Sequence, residues 1–316
     1  MAQRPNTAGT SFTLPPVIAA PMAGGPSTPK LVNAVSFGFL AWGTCTPTTA
    51  REELGNTSVP FGINLFYPQS YQPSQADLEA VVQRLGPDTG TRLPQVDLTA
   101  GFAEKFTLAL NSPAQVVSST FGCFSRDEIA ALHDSGKQAW ITVTTAEHAA
   151  VAFSRGADAV VVQGPRAGGH RGTWDQRDAP GTDTLEELLV SIEGRRIAAG
   201  GVRCAGDVDT LLALGAEAVA CGTAFLLADE AGTSERNRSL VRSDRPSVLS
   251  RAFSGRWARG VETDFTVRNP DLPAVYPYLR PMTKDNDYCL AGDERAQLME
   301  APAAAIEREL TPTRFQ

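Results

Sequence analysis

Asp158-Ala159-Val160-Val161-Val162-Gln163-Gly164 decides the fold. The run is apolar at consecutive positions instead of alternating, so both faces of the strand predicted over 159–163 must be covered. That is how a parallel strand packed between helices reads. Seven further runs share its character: 17–20, 39–42, 62–65, 116–119, 139–143, 197–199 and 218–221. All are short and rich in Val, Ile and Ala.

The stretches between them carry helix signals. Ser27-Thr28-Pro29 sets a hydroxyl cap ahead of a proline, followed by Leu31, Val32 and Val35. Ser125-Arg126-Asp127-Glu128 is a capping box, Thr145 can cap a helix over 146–155 that stops at Gly156, and Thr184 heads a helix with Leu185, Leu188 and Leu189. A last helix over 205–214 closes at Gly215. Eight strands with intervening helices are the count of an α/β chain folded as a (β/α)8 TIM barrel. A doubly wound sheet is the alternative, since periodicity does not say whether the sheet closes. Gly24-Gly25-Pro26 lacks the GxGxxG spacing that would favour it. From about residue 228 the alternation ends. We expect a barrel over 1–227 and, as part of the same unit, an extension over 228–316 of helices and loops that covers the active-site mouth on the substrate side.

Bulk properties narrow the function. Of the 316 residues 42% are hydrophobic and 20% charged, the balance of a globular protein with a substantial core. A net charge of −7 argues against nucleic-acid partners. No apolar run approaches the ~20 residues that cross a bilayer, and residues 1–13 lack a signal-peptide core, so a cytoplasmic location without membrane contact is expected. Cys45, Cys123, Cys204, Cys221 and Cys289 form no CxxC pair, and only three histidines occur. Neither a disulfide framework nor a metal site is expected.

In such barrels the active site forms at the C-terminal ends of the strands. There lie Pro21-Met22-Ala23-Gly24-Gly25, Asn64, Thr120-Phe121-Gly122, Thr144-Thr145, Gln163-Gly164 leading to Ala167-Gly168-Gly169-His170-Arg171-Gly172, Gly200-Gly201, and Gly222-Thr223. The glycine pairs after the seventh and eighth strands let backbone N–H groups approach a phosphate, with the Thr223 hydroxyl as a further donor. His170, flanked by glycines, suits proton abstraction or hydrogen bonding to an anionic substrate. His133 and His148 fall inside helices and read as structural. Asn64 and Gln163 end apolar strands, where each bonds either a ligand's polar edge or neighbouring backbone. Met22 fills the core or presses on an aromatic cofactor. Arg171 pairs with a phosphate, a substrate or an acidic neighbour. Glu186-Glu187 reads as a solvated helix face.

Ala20-Pro21-Met22-Ala23-Gly24-Gly25-Pro26-Ser27-Thr28-Pro29 resembles the N-terminal motif of the nitronate monooxygenases, formerly 2-nitropropane dioxygenases. Further similar stretches are Phe61-Gly62-Ile63-Asn64-Leu65-Phe66, the segment from Asp158 to Gly172, Ile197-Ala198-Ala199-Gly200-Gly201-Val202, Leu214-Gly215-Ala216 through Leu226, Arg251-Ala252-Phe253-Ser254-Gly255-Arg256 and Ala258-Arg259-Gly260. The resemblance spans about residues 15 to 310. It implies a TIM barrel with non-covalent FMN, oxidation of alkyl nitronates (propionate 3-nitronate among them) by molecular oxygen to a carbonyl compound and nitrite, and a homodimer as an option. On this resemblance Ala20, Pro21, Met22 and Ala23 line the isoalloxazine, and Asn64 and Gln163 bond its edge. Gly168 and Gly169 approach the ring or ribityl chain, and Gly200, Gly201, Gly222 and Thr223 hold the phosphate. His170 is the active-site base or substrate-binding residue, and Tyr276 and Lys284 help bind an anionic substrate. The chain departs from the family's pattern in shorter stretches after Val35 and after Gly181, in lacking a histidine near Thr120, and in Cys289 where a tryptophan is common. The competing readings are an NAD(P)H-dependent FMN reductase of quinones or enoyl thioesters, and a flavin protein altered in catalysis.

Overall fold

The computed structural model describes residues 13–58, 60–85, 93–293 and 295–316. The reading of the polar start of the chain, residues 1–12, lies outside them. Eight parallel strands form a closed barrel: β1 (Val17–Ala19), β2 (Gly38–Ala41), β3 (Phe61–Phe66), β4 (Val116–Thr120), β5 (Gln138–Val143), β6 (Ala159–Gln163) and, after the two-residue β7 (Gly169–His170), β8 (Arg196–Ala199) and β9 (Ala218–Cys221). Closure comes from β9 returning to β1, with Val17, Ile18 and Ala19 opposite Val219, Ala220 and Cys221. That pairing excludes the doubly wound sheet.

The expected caps are in place. Thr28 accepts from the Leu31 N–H ahead of Pro29–Asn33, and Thr145 from that of His148 ahead of Ala146–Arg155. Ser125 and Thr184 each form a full capping box, with Glu128 and Glu187. Gly156 ends its helix at φ 109°, a conformation glycine adopts without a Cβ penalty. Three helices beyond those expected fill the connections, Pro47–Gly55, Gln75–Leu85 and Phe102–Leu110.

Two apolar layers hold the barrel. Strand residues facing outward pack against the helices, and those facing inward, Ile18, Phe39, Val116, Trp140, Ile197 and Ala220 among them, fill the lumen. Phe39 lies 5.8 Å from Trp140 and meets Phe37 edge-on at 5.5 Å, ring centre to ring centre. Gly62 makes room for this stack, since a Cβ there would sit 2.3 Å from the Phe39 ring.

The tail holds more than the expected helices and loops. β10 (Ser247–Ser250) and β11 (Ala258–Val261) form an antiparallel pair, and β11 also pairs with β7, setting Ala258 opposite His170 and Arg259 opposite Gly169. Four-residue strands reading Ser-Val-Leu-Ser and Ala-Arg-Gly-Val carry too little alternation to be seen as periodicity. The helix Ala303–Leu310 docks on the barrel through Ala303, Ile306 and Leu310, and the Glu307 carboxylate accepts the Ser36 N–H at 3.0 Å. Among the described residues no helix is long and apolar enough to cross a membrane.

The lumen packing generates a test. Gly62→Ala should destabilise by about 1–3 kcal/mol through overpacking, read as a lower urea midpoint, and Phe39→Leu added to it should recover part of the loss. A double variant no better than Gly62→Ala alone would show that Phe39 is not what the missing side chain accommodates.

Candidate active site

A cavity of about 420 Å³ opens at the C-terminal ends of the strands, within the range of about 300–1,000 Å³ usual for small-ligand sites. Its walls bring together Ala20, Pro21, Met22, Ala23, Asn64, Gln163, Gly168, Gly169, His170, Gly200, Gly201, Gly222 and Thr223. Of the residues expected at the site, Tyr276 and Lys284 do not line it. Tyr276 stands behind His170, with ring centres 5.7 Å apart. Lys284 is exposed, and its carbonyl accepts from Arg280. The wall positions facing the tail are held instead by Arg280, Tyr288, Cys289 and Leu290, with the Arg280 guanidinium 4.5 Å over the Tyr288 ring.

His170 is set by three contacts. Its backbone belongs to β7, its Nε2 lies 2.7 Å from the Ser254 Oγ, and its carbonyl accepts from the Gln163 Nε2 at 2.8 Å. The Gln163 Oε1 in turn accepts the Gly172 N–H at 2.8 Å. Gln163 is therefore a two-handed clamp on the His170 loop, the backbone alternative among its two expected roles. Its amide retains one N–H and one lone pair for a ligand. Asn64 donates to Ser118 and Thr120 on the neighbouring strand, and Thr120 shares a hydrogen bond with Thr142.

The hydroxyl of Ser254 also meets the Arg256 backbone, accepting its N–H at 3.4 Å and lying 3.5 Å from its carbonyl. The much shorter contact to Nε2 makes the imidazole the better acceptor for the one hydroxyl hydrogen. On that assignment of the hydrogens, the ring carries its own hydrogen on Nδ1, an accessible atom with no hydrogen-bond partner among the described residues. Phe66, Phe121 and Tyr276 present their rings edge-on to His170 or nearly so. Burial, and secondarily the positive charge of Arg256, push His170 down to about 3. At neutral pH the imidazole is uncharged.

The other end of the cavity is glycine-lined. Gly200 and Gly201 have φ of 115° and 74°. A Cβ on Gly168 would come within 2.4 Å of the Gly292 nitrogen, so that backbone crossing requires glycine. The Thr223 hydroxyl accepts the Gly292 N–H at 2.9 Å. The loop after β2, which brings Thr44 to the wall, is tied down by the buried Lys105, whose ammonium donates to the carbonyls of Trp42 and Cys45.

Neither His133 nor His148 reaches the cavity: His133 pairs with Asp158 at 2.8 Å, and His148 stacks on Trp174 with ring centres 4.1 Å apart. Among the described residues the buried Arg171 meets no carboxylate and donates instead to the carbonyls of Gly164 and Gln163. Among the described residues no group of three or more His, Cys, Asp or Glu is placed to hold a metal ion.

The family model described as nitronate monooxygenase matches residues 6–308. The chain belongs to the nitronate monooxygenase family. A nitronate monooxygenase of Pseudomonas aeruginosa is 34% identical over 93% of this chain and 95% of its own. One from Paraburkholderia phytofirmans is 35% identical over 83% of this chain and 78% of its own. Among solved structures, a nitroalkane oxidase from Streptomyces ansochromogenes superposes with a TM-score of 0.85 at 34% identity, covering 94% of each chain. FabK from Thermotoga maritima shares the fold, with a TM-score of 0.65 at 20% identity over 94% of this chain and 91% of its own.

Against the family's motifs, Ser254 and Arg256 lie inside the recognised stretch from Arg251 to Arg256, yet nothing in their spacing points at a histidine more than eighty positions upstream. Arg280, between Tyr276 and Lys284 in the chain, is the side chain that brings a positive charge to this wall.

The depressed His170 has a sign-definite consequence. On acidification the unfolded chain takes up this proton near 6.5 while the folded one resists until about 3, so stability is lost as pH falls through that interval. His170→Gln should flatten the loss, measured as urea stability at about pH 7 and about pH 5. An unchanged slope would mean that His170 protonates in the folded protein as readily as in the unfolded chain.

Proposed function

We propose that the chain oxidises alkyl nitronates, propionate 3-nitronate among them, with molecular oxygen on bound FMN, releasing a carbonyl compound and nitrite. The observation that carries this reading is an uncharged imidazole facing a cavity whose opposite end is lined by glycines. The residues fit the cofactor. A Cβ on Gly169 would meet nothing within 4 Å, so this backbone borders open space where a ligand can lie close. The Thr223 hydroxyl hydrogen has no protein acceptor among the described residues. Among the described residues no Asp or Glu lines the large cavity, and Asp293, in the smaller pocket that shares Gly201 and Thr223, pairs with Arg259 at 3.1 Å.

Ala20, Pro21, Met22 and Ala23 would lie along the isoalloxazine, with Asn64 and the spare amide groups of Gln163 at its polar edge. Gly168 and Gly169 would border the ribityl chain, and Gly200, Gly201, Gly222 and Thr223 would take the phosphate. Bound there, FMN supplies the one-electron chemistry that couples nitronate oxidation to oxygen. His170 binds and orients the substrate. Its Nδ1–H donates to an oxygen of the nitronate while Ser254 holds the far side of the ring. An imidazole with so low a pKa is a weak base. It therefore suits a substrate that arrives as the anion, where no proton has to be taken from carbon. The wall contributed by residues 228–316, Arg280 and Tyr288 included, serves the substrate side.

An absorbance spectrum followed by nitronate-dependent oxygen uptake tests the reading. Flavin bands and uptake on nitronates, with poor turnover of the parent nitroalkanes, are expected. His170→Ala should keep FMN and, by losing one preorganised donor to the substrate oxygen, lower kcat/KM by roughly 10²–10³. Anaerobic bleaching by NADH with no reaction on any nitronate would turn the assignment to a nicotinamide-dependent reductase.

A further inference from the structure

Phe121 has φ 75°, a backbone conformation that costs a non-glycine residue free energy and persists only where surroundings enforce it. Its ring is buried and touches the site's aromatic wall, with its centre 4.4 Å from that of Phe66, 5.7 Å from Tyr276 and 5.7 Å from His170, which it meets at 87°.

Arg256 enforces that conformation twice. Its guanidinium carbon lies 4.0 Å over the Phe121 ring, and its Nη1 donates to the Gln69 Oε1 at 2.6 Å. The Gln69 Nε2 donates in turn to the Phe121 carbonyl at 3.1 Å. Ring and backbone of one strained residue are thus gripped by one guanidinium. The rest of the fork donates to Thr173 and to the Arg171 carbonyl, in the loop that follows His170.

Arg256 is fully buried, and every acceptor it meets among the described residues is a neutral oxygen. A buried cation without a carboxylate is expensive, and a hydrophobic side chain would fill the same volume at lower cost. The planar fork and its charge are what such a replacement would lose.

We infer that Arg256 and Gln69 are positioning residues of the reaction, holding Phe121 in its strained conformation so that its ring fixes His170 against the cavity wall. The inference rests on His170 acting at the reacting end of the substrate.

Around His170 the charged or titratable groups are Arg256 and Tyr276 from the tail and Arg171 from its own loop, with Asp175 and Asp178 close enough to act on Arg256. Three variants of the flavin-loaded protein separate grip from charge. Gln69→Leu breaks the link to the Phe121 carbonyl and leaves the cation. It should lower kcat roughly tenfold or more on a nitronate, with the acid limb of the pH profile in place. Arg256→Met removes both, so kcat falls and the acid limb moves to higher pH, and Arg256→Lys should return the limb but not kcat. The NMR titration of the His170 ring reads the same shift without turnover. A wild-type protein inert on nitronates but showing the Arg256→Met shift would remove the proposed reaction and leave the coupling standing. Variants that lose only thermal stability, with kcat per bound flavin and the His170 titration unchanged, would overturn the inference.

Discussion

Gly169 and His170 leave the barrel sheet after Gln163 and pair instead with Ala258 and Arg259 of the tail. The placement of the imidazole at the cavity depends on this pairing. A glycine-rich loop alone has high backbone entropy and would not keep an imidazole in one orientation. Here the loop is stitched on both sides, by the ladder to β11 and by the Gln163 amide, which bridges the His170 carbonyl and the Gly172 N–H. Gln163 is the last residue of β6, so the histidine is referenced to the rigid barrel through one side chain. The barrel carries the cradle, the tail carries Ser254 and Arg256, and His170 is where their registers must agree.

The glycines divide by the reason for them. Gly62 is required by packing inside the lumen, and Gly168 by the crossing of the Gly292 backbone. Gly200 has both a positive φ and a would-be Cβ only 2.7 Å from Ala167, so it is doubly constrained. Gly169 differs from these, since its positive φ would strain a side chain but nothing occupies the space before it. Only the last kind points to a ligand; the others would be glycine in a barrel that bound nothing.

This division explains what the sequence could show. The eight barrel strands were legible because each is buried on both faces, and their ends fell within about one residue of the reading. The caps at Thr28, Ser125, Thr145 and Thr184 were legible because capping is local chemistry over four residues. The strand-end residues were legible as a set, since barrel topology sends them to one face. What stayed hidden is long-range or ambiguous. Ser254 meets His170 across 84 positions and Arg256 meets Gln69 across 187, and no pattern within either segment encodes the meeting. Gln163 was visible as a polar residue ending an apolar strand, but whether it faced ligand or backbone required coordinates. Lys284 illustrates the opposite failure: the short helix Leu279–Met282 brings Arg280 to the cavity and leaves Lys284 in solvent.

Electrostatics ties the two ends of the cavity together. Arg171 and Arg256 are both buried, both drawn down to about 10 by burial, and among the described residues both bond only to neutral oxygens. These two buried cations, hydrogen-bonded to no carboxylate among the described residues, add positive charge beside the site without a charge on the imidazole. Such charges favour an anionic ligand and penalise an imidazolium. Both effects depend on keeping carboxylates out of hydrogen-bond reach of these two guanidinium groups. A carboxylate partner for Arg256 would lower the desolvation cost, but it would also raise the basicity of His170 and repel the incoming anion. The stability sacrificed by burying bare guanidinium groups is thus coupled to the kind of ligand the cavity can hold.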